Sequence, residues 1–113
     1  MNSTTTGQRA EGSVAERLTL FGYEIVAQNW KTKVCEVDII AKKDGIIYFT
    51  EVKYRRGTAQ GSGFEYITPK KLNQIKFAAR IWCKENGWDG DYRILGVEVS
   101  GDDYEQMELL EID

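Results

Sequence analysis

Asp38, Glu51 and Lys53 stand near the middle of this chain at a spacing that chemistry can use. They belong to the stretch VCEVDIIAKKDGIIYFTEVKYR, residues 34–55, where two runs rich in β-branched and aromatic residues flank Asp44-Gly45. Asp-Gly between such runs is a favoured two-residue hairpin connection. With these two residues as the loop, Asp38 falls opposite Glu51, Glu36 opposite Lys53, Ile40 opposite Phe49 and Lys42 opposite Ile47. Side chains alternate with a period of two, so all of these share one face. The other face then carries Cys35, Val37, Ile39 and Ala41 against Ile46, Tyr48, Val52 and Tyr54.

Facing carboxylates on paired strands repel, with Cβ atoms roughly 4.5–5.5 Å apart. A divalent cation between them removes the conflict, since Mg²⁺ takes one or two carboxylates and keeps several waters. Lys53 adds a donor beside the same spot. The hairpin therefore reads as a metal site with a cationic helper. The same alternation also describes a strand with one solvated face and an ordinary Glu36–Lys53 ion pair. The charged face turns apolar at Ile40 and Phe49, which favours the first reading: something must cover that face and leave the acids at the rim of a core.

The elements that must hold this hairpin are legible on either side of it. Gly7–Phe21 has a helical period with Ala10, Val14, Leu18 and Phe21 on one stripe, and Gly22 supplies a stop. Glu11 sits on the flank of that stripe and can look toward a sheet, whereas Glu16 points away. Tyr23–Gln28 reads as a first strand, Val34–Lys42 and Ile46–Arg55 as the hairpin. Gly57–Gly63, GTAQGSG, has no packing signal. Thr68 is an N-cap with Pro69 at the first helical position. Leu72, Ile75, Ala79, Trp82 and Cys83 form the buried stripe of that helix, Lys71 turns toward the hairpin, and Asn86-Gly87 ends it. Tyr92–Val99 is a further strand and Tyr104–Ile112 a last one at an edge. The order is α-β-β-β-α-β-β, a mixed β-sheet flanked by helices in one α/β domain spanning 1–113. Residues 1–6 are expected to fray and 57–66 to form a flexible loop.

Composition narrows the chemistry. The 113 residues contain no histidine and two cysteines, which excludes histidine-based acid–base catalysis, a disulfide framework and most zinc or haem sites. That cysteine usage and the absence of an apolar leader or membrane-length run predict a cytoplasmic protein without a membrane partner. The net charge of −3 is unevenly spread. Residues 53–80 hold seven Lys and Arg against Glu65 alone, while residues 81–113 hold two against ten acids. A basic block directly after a candidate metal site points to a polyanionic ligand, although a solvated loop and helix face would look the same.

In sum these residues resemble the PD-(D/E)xK nuclease superfamily, with its restriction-endonuclease-like fold: an acid on an N-terminal helix, then D-x(n)-E-x-K on a hairpin, then a basic helix. More closely, the chain is similar to the YraN-like family of small bacterial endonuclease-like proteins, relatives of archaeal Holliday-junction resolvases. The matching stretches are Gly7-x-x-Ala10-Glu11, Gly22-Tyr23, Asn29, Glu36-Val37-Asp38-Ile39-Ile40-Ala41, Glu51-Val52-Lys53-x-Arg55, Thr68-Pro69-x-Lys71 and Ala79. Val37 stands where the motif name has proline, Cys35 where this family usually has glycine, and Gly96 where an acid is frequent.

The resemblance implies catalytic residues Glu11, Asp38, Glu51 and Lys53. Asp38, Glu51 and Glu11 would bind Mg²⁺ or Mn²⁺, Lys53 would orient or deprotonate the attacking water, and Glu36 would be auxiliary. Arg55, Arg56, Lys70, Lys71 and Lys76 would hold the phosphate backbone of a nucleic acid, DNA in the first instance. The expected function is a metal-dependent DNA endonuclease, with branched or structured DNA as one substrate class. A non-catalytic DNA-binding accessory protein on the same scaffold is the alternative, and a protein-interaction domain using the acidic tail a third. Resolvase relatives act as two-fold dimers, and the Tyr104–Ile112 edge strand is a candidate homodimer surface.

Overall fold

The computed structural model describes residues 4–55 and 66–112, with side chains from residue 7 onward. The elements follow the expected order: α1 (Thr4–Leu20), β1 (Glu24–Lys31), β2 (Glu36–Lys43), β3 (Ile46–Arg55), α2 (Pro69–Glu85), β4 (Asp91–Ser100) and β5 (Gln106–Glu111). The five strands form one mixed sheet in sequence order. Only β3 and β4, joined through α2, run parallel; the other neighbouring pairs are antiparallel. No described helix is long and apolar enough to cross a membrane.

The two helices cover opposite faces of this sheet, giving three layers and two cores. Under α1, Val14, Ala15 and Leu18 pack on Ile39, Ala41, Leu95, Val97 and Val99. Under α2, Ile75, Ala78, Ala79 and Trp82 pack on Val37, Ile40, Ile47, Phe49 and Ile94. Ala10, Val14 and Leu18 are buried as their spacing predicts. Phe21 is not: it is 53% exposed. The helix closes before it in a Schellman turn, with the Tyr23 amide donating to Leu18 O (2.9 Å) and Gly22, at φ 98°, donating to Thr19 O. That turn swings Phe21 off the helical stripe.

The start of α2 follows its sequence signals closely. Thr68 caps it, its hydroxyl accepting from the Lys71 amide at 3.1 Å, and Pro69 opens the first turn. Thr68→Ala is expected to destabilise the fold by about 1 kcal/mol in a denaturant titration, the usual cost of a lost N-cap.

The hairpin has the two-residue loop its sequence predicts, with Asp44 and Gly45 both at positive φ. Ladder pairing runs from Lys43–Ile46 to Ile39–Thr50 and includes Ile40–Phe49 and Lys42–Ile47. One step further the regular alternation fails. Val37 packs under α2 with Ile40, and Cys35 lies on that side too, donating its thiol to Gln74 O; Ile39 and Ala41 face α1. The expected single apolar face of Cys35, Val37, Ile39 and Ala41 is therefore split between two cores. Around Asp38 the strand changes which residues it turns to each helix. Opposite it on β1, Asn29 adopts a left-handed φ of 53° between the paired residues Gln28 and Trp30. The β2–β3 ladder stops short of the expected pairs Asp38–Glu51 and Glu36–Lys53; Glu36 pairs with Lys31 of β1, and the neighbour of Lys53 in register is Glu98 of β4.

β5 is the outermost strand on the other side. All of its residues except Met107 are exposed, including Leu109 and Leu110.

Candidate acidic site

The irregularity at Asp38 creates the site. Where β2 and β3 part, the Asp38 carboxylate takes the place of a backbone acceptor: the Val52 amide donates to its Oδ2 at 2.8 Å. From this position Asp38 lies close enough to Glu11 of α1 and to Glu51 of β3 for its charge to raise the pKa of both. Three acids from three elements thus gather where α1 crosses the sheet. Asn29 ties in a fourth. With its amide nitrogen turned toward the acids it donates to Glu11 Oε1 at 2.8 Å and to Glu36 Oε2 at 3.0 Å.

Burial and mutual repulsion raise the pKa of Glu11, Asp38 and Glu51. Glu11 is pushed from 4.5 up to about 7, by burial first and then by the charges of Asp38 and Glu36. Glu51, only 6% exposed, is likewise pushed up to about 7 by burial and by Asp38, with Lys71 opposing the shift. Asp38 is raised by burial, while the Val52 N–H pulls the other way. A cluster of this kind stores a demand for positive charge.

Only part of that demand is met by side chains. Lys71, from the first turn of α2, reaches Glu51 Oε2 at 3.2 Å. Glu51 Oε1 is buried and has no hydrogen-bond partner among the described residues. Among the described residues no three carboxylates or thiols converge closely enough to enclose an ion by themselves. The donor set nevertheless suits Mg²⁺ or Mn²⁺, which need few protein ligands and retain water. A buried carboxylate oxygen without a described partner, among acids of raised pKa, is the kind of donor such an ion would accept. A cleft of about 510 Å³, lined by Gly7, Gln8, Glu11, Asn29, Lys31 and Glu36, opens beside the cluster.

The basic residues read from the sequence separate into distinct environments. Lys71 lies inside the site as the ion-pair partner of Glu51. Lys53, two residues after Glu51, is exposed and makes no ion pair with the described residues. Arg55 pairs with Glu98 across the parallel strands β3 and β4. Lys70 is exposed on α2, Lys76 is half-buried there, and Arg56 lies outside the described residues.

Two contributors carried no assigned role in the sequence. Asn29 was visible only as part of a family pattern, and its bridging of Glu11 and Glu36 depends on the positive φ of β1. Tyr66 follows the glycine-rich segment with no periodicity around it. Its half-buried hydroxyl donates to Val97 O at 3.3 Å beside Glu51, and burial raises its pKa.

Comparison with known proteins agrees in length and order. The model of the uncharacterised protein family UPF0102 matches residues 10–108. A UPF0102 protein of Sulfurihydrogenibium sp. (strain YO3AOP1) is 36% identical over 109 residues, covering 96% of this chain and 95% of its own. A UPF0102 protein of Rhodococcus jostii (strain RHA1) is 40% identical over 81 residues, 72% of this chain and 69% of its own. One of Vibrio vulnificus (strain YJ016) is 34% identical over 83 residues, 74% of this chain and 68% of its own. A match across every element from α1 into β5, at this identity, places the chain in the UPF0102 family.

Proposed function

We propose that this chain is a metal-dependent endonuclease of the PD-(D/E)xK type that hydrolyses phosphodiester bonds in DNA, with branched or structured DNA among its substrates. The observation that carries the reading is the gathering of Glu11, Asp38 and Glu51 from three separate elements, with Glu51 Oε1 buried and unpartnered among the described residues. A fold selected for stability alone would separate these acids or pair them; here they are held together and left short of positive charge.

Bound Mg²⁺ or Mn²⁺ supplies neutralisation of the phosphate charge and a more acidic water. Asp38 and Glu51 would hold the ion, with Glu11 completing its shell and Asn29 fixing Glu11 and Glu36 in position. Lys71 keeps the Glu51 carboxylate oriented through Oε2, leaving Oε1 for the ion. Lys53 follows Glu51 by two residues on the same strand, so its ammonium can approach a water or phosphate oxygen entering from solvent. Lys70 supplies phosphate contact without reading sequence.

The exposed position of Lys53 favours one second reading, a DNA-binding accessory that keeps the scaffold without cutting. Labelled duplex, branched and single-stranded DNA, incubated with and without Mg²⁺ or Mn²⁺, separates the two. Cutting is expected only with metal, and Lys53→Met is expected to slow it about a hundredfold, the scale of a positioned proton-transfer group. Salt-sensitive binding with no metal-dependent product would support the accessory reading. Cleavage that survives both chelation and Lys53→Met would sink the hydrolase assignment.

A further inference from the structure

A second binding surface adjoins the acidic cleft on its basic side. Lys31 lines that cleft and also a neighbouring groove of about 370 Å³ formed with Trp30, Lys33, Phe77, Ile81 and Glu85. On the far side of Phe77 lies a third groove, about 480 Å³, formed with Val34, Lys70, Asn73 and Gln74. Phe77 is thus the ridge between two grooves, and it is 45% exposed although α2 has a buried stripe available for apolar residues. Phe77 projects from the outward side of the helix, where Lys70, Asn73 and Lys84 lie seven before, four before and seven after it.

Charge decides what fits there. Among the described residues that line the two grooves, Lys31, Lys33 and Lys70 are basic and Glu85 is the one acid. The acids of the C-terminal segment, Asp102, Asp103, Glu105, Glu108 and Glu111, belong to β5 and the turn before it, at the far edge of the sheet from β1. An aromatic ring on a basic path, continuous with a cleft of carboxylates, is the combination that binds unpaired nucleotides: bases stack on the ring and lysines follow the phosphates. Paired bases are already stacked on each other and have no face to offer an exposed ring.

We propose that Phe77, with Trp30 beside it, is a stacking platform for an unpaired nucleic-acid strand that runs from the acidic cleft along the outer face of α2. The proposal rests on the hydrolase reading for the strand's role as substrate, and on the grooves alone for its binding. It assigns the substrate class as DNA carrying a single-stranded segment next to the cut.

Fluorescence anisotropy of the full chain with a labelled oligodeoxythymidine strand, and with a blunt duplex, tests it. Strand binding is expected to weaken with salt, and Phe77→Ala is expected to weaken it roughly 5- to 100-fold, the range for loss of one base–aromatic stack. Phe77→Trp should bind as well as the original chain, and Phe77→Leu as poorly as Phe77→Ala, because stacking needs a ring. Phe77→Leu binding as tightly as phenylalanine would overturn the proposal, as would undetectable strand binding. Self-association lost in Phe77→Ala with strand binding unchanged would make the ridge a protein contact and overturn it too. Phe77-dependent strand binding without metal-dependent cleavage would remove the hydrolase reading and leave the platform standing. Cleavage of DNA with all Phe77 variants alike would do the reverse.

Discussion

Asp38→Asn is expected to reduce metal-dependent DNA cleavage by roughly a thousandfold while leaving the fold close to its original stability. The reasoning starts from the two jobs of this carboxylate. It accepts the Val52 amide at 2.8 Å, and it supplies negative charge between Glu11 and Glu51. Asparagine keeps an oxygen for the amide and removes the charge. On the proposed hydrolase reading Asp38 would no longer serve as a charged metal ligand, and a thousandfold loss corresponds to a barrier higher by about 4 kcal/mol. Asp38→Ala removes both jobs. It should therefore also cost about 1–3 kcal/mol of stability, because the Val52 N–H is left without a partner. Gel-resolved cleavage rates with Mn²⁺, set beside chemical denaturation of both variants, check the pair. Wild-type cutting by Asp38→Asn would end the assignment of the site.

In the absence of divalent ions, stability is expected to fall as the pH rises from 5 to 8. Glu11 and Glu51 have ordinary values of 4.5 and are held at about 7 in the folded chain. Between those values the folded state keeps protons that the unfolded chain has released, so each increase in pH favours unfolding. The contribution is complete below about 4.5 and gone above about 7. Asp38 is shifted in the same direction. Glu51, almost fully buried, accounts for on the order of 3 kcal/mol. Glu11 contributes less, because it is more exposed and solvent screens it. At about 4 °C per kcal/mol the Glu51 term alone lowers the melting temperature by roughly 10 °C across that window. Mn²⁺ added at pH 8 should restore most of the loss, since it binds the ionised acids of the folded state. Glu51→Gln should be the more stable protein at pH 8 without metal, and should respond less to both pH and Mn²⁺. Calorimetric scans of the two proteins at pH 5 and pH 8 are sufficient. Parallel pH profiles would show that Glu51 is not held in the strained state described here.

How far the sequence reached depends on which physical signal each residue leaves. Asp44-Gly45 announced a two-residue hairpin because few residues tolerate positive φ in succession, and the pairing from Lys43–Ile46 inward follows from that alone. Thr68-Pro69 announced α2 in the same way. Inward-facing Lys71 was legible from helical projection, and its 3.2 Å pair with Glu51 fits that geometry. The reversal at Asp38 was not legible. Val37, Ile39 and Ile40 are all apolar, so a one-residue change of face leaves no trace in a pattern of polar and apolar residues. The Glu36–Lys53 cross-strand pair failed for that reason. Asn29 and Tyr66 were missed because their roles come from tertiary placement: one from a left-handed kink in β1, the other from a contact with Val97 of β4 far along the chain.

The strand that closes the far side of the sheet has a consequence for how copies of this protein meet. Among the described residues β5 leaves one row of backbone amides and carbonyls without a neighbouring strand, next to the exposed Leu109 and Leu110, which would ordinarily invite fibril-like growth. Acids flank those leucines, Glu108 and Glu111 within the strand and Glu105 just before it. Two such strands laid antiparallel across a symmetry axis would bring carboxylates close together and repel. The side chains that guard this border against edge-to-edge growth would also have to be offset or neutralised in any two-fold partnership built on it.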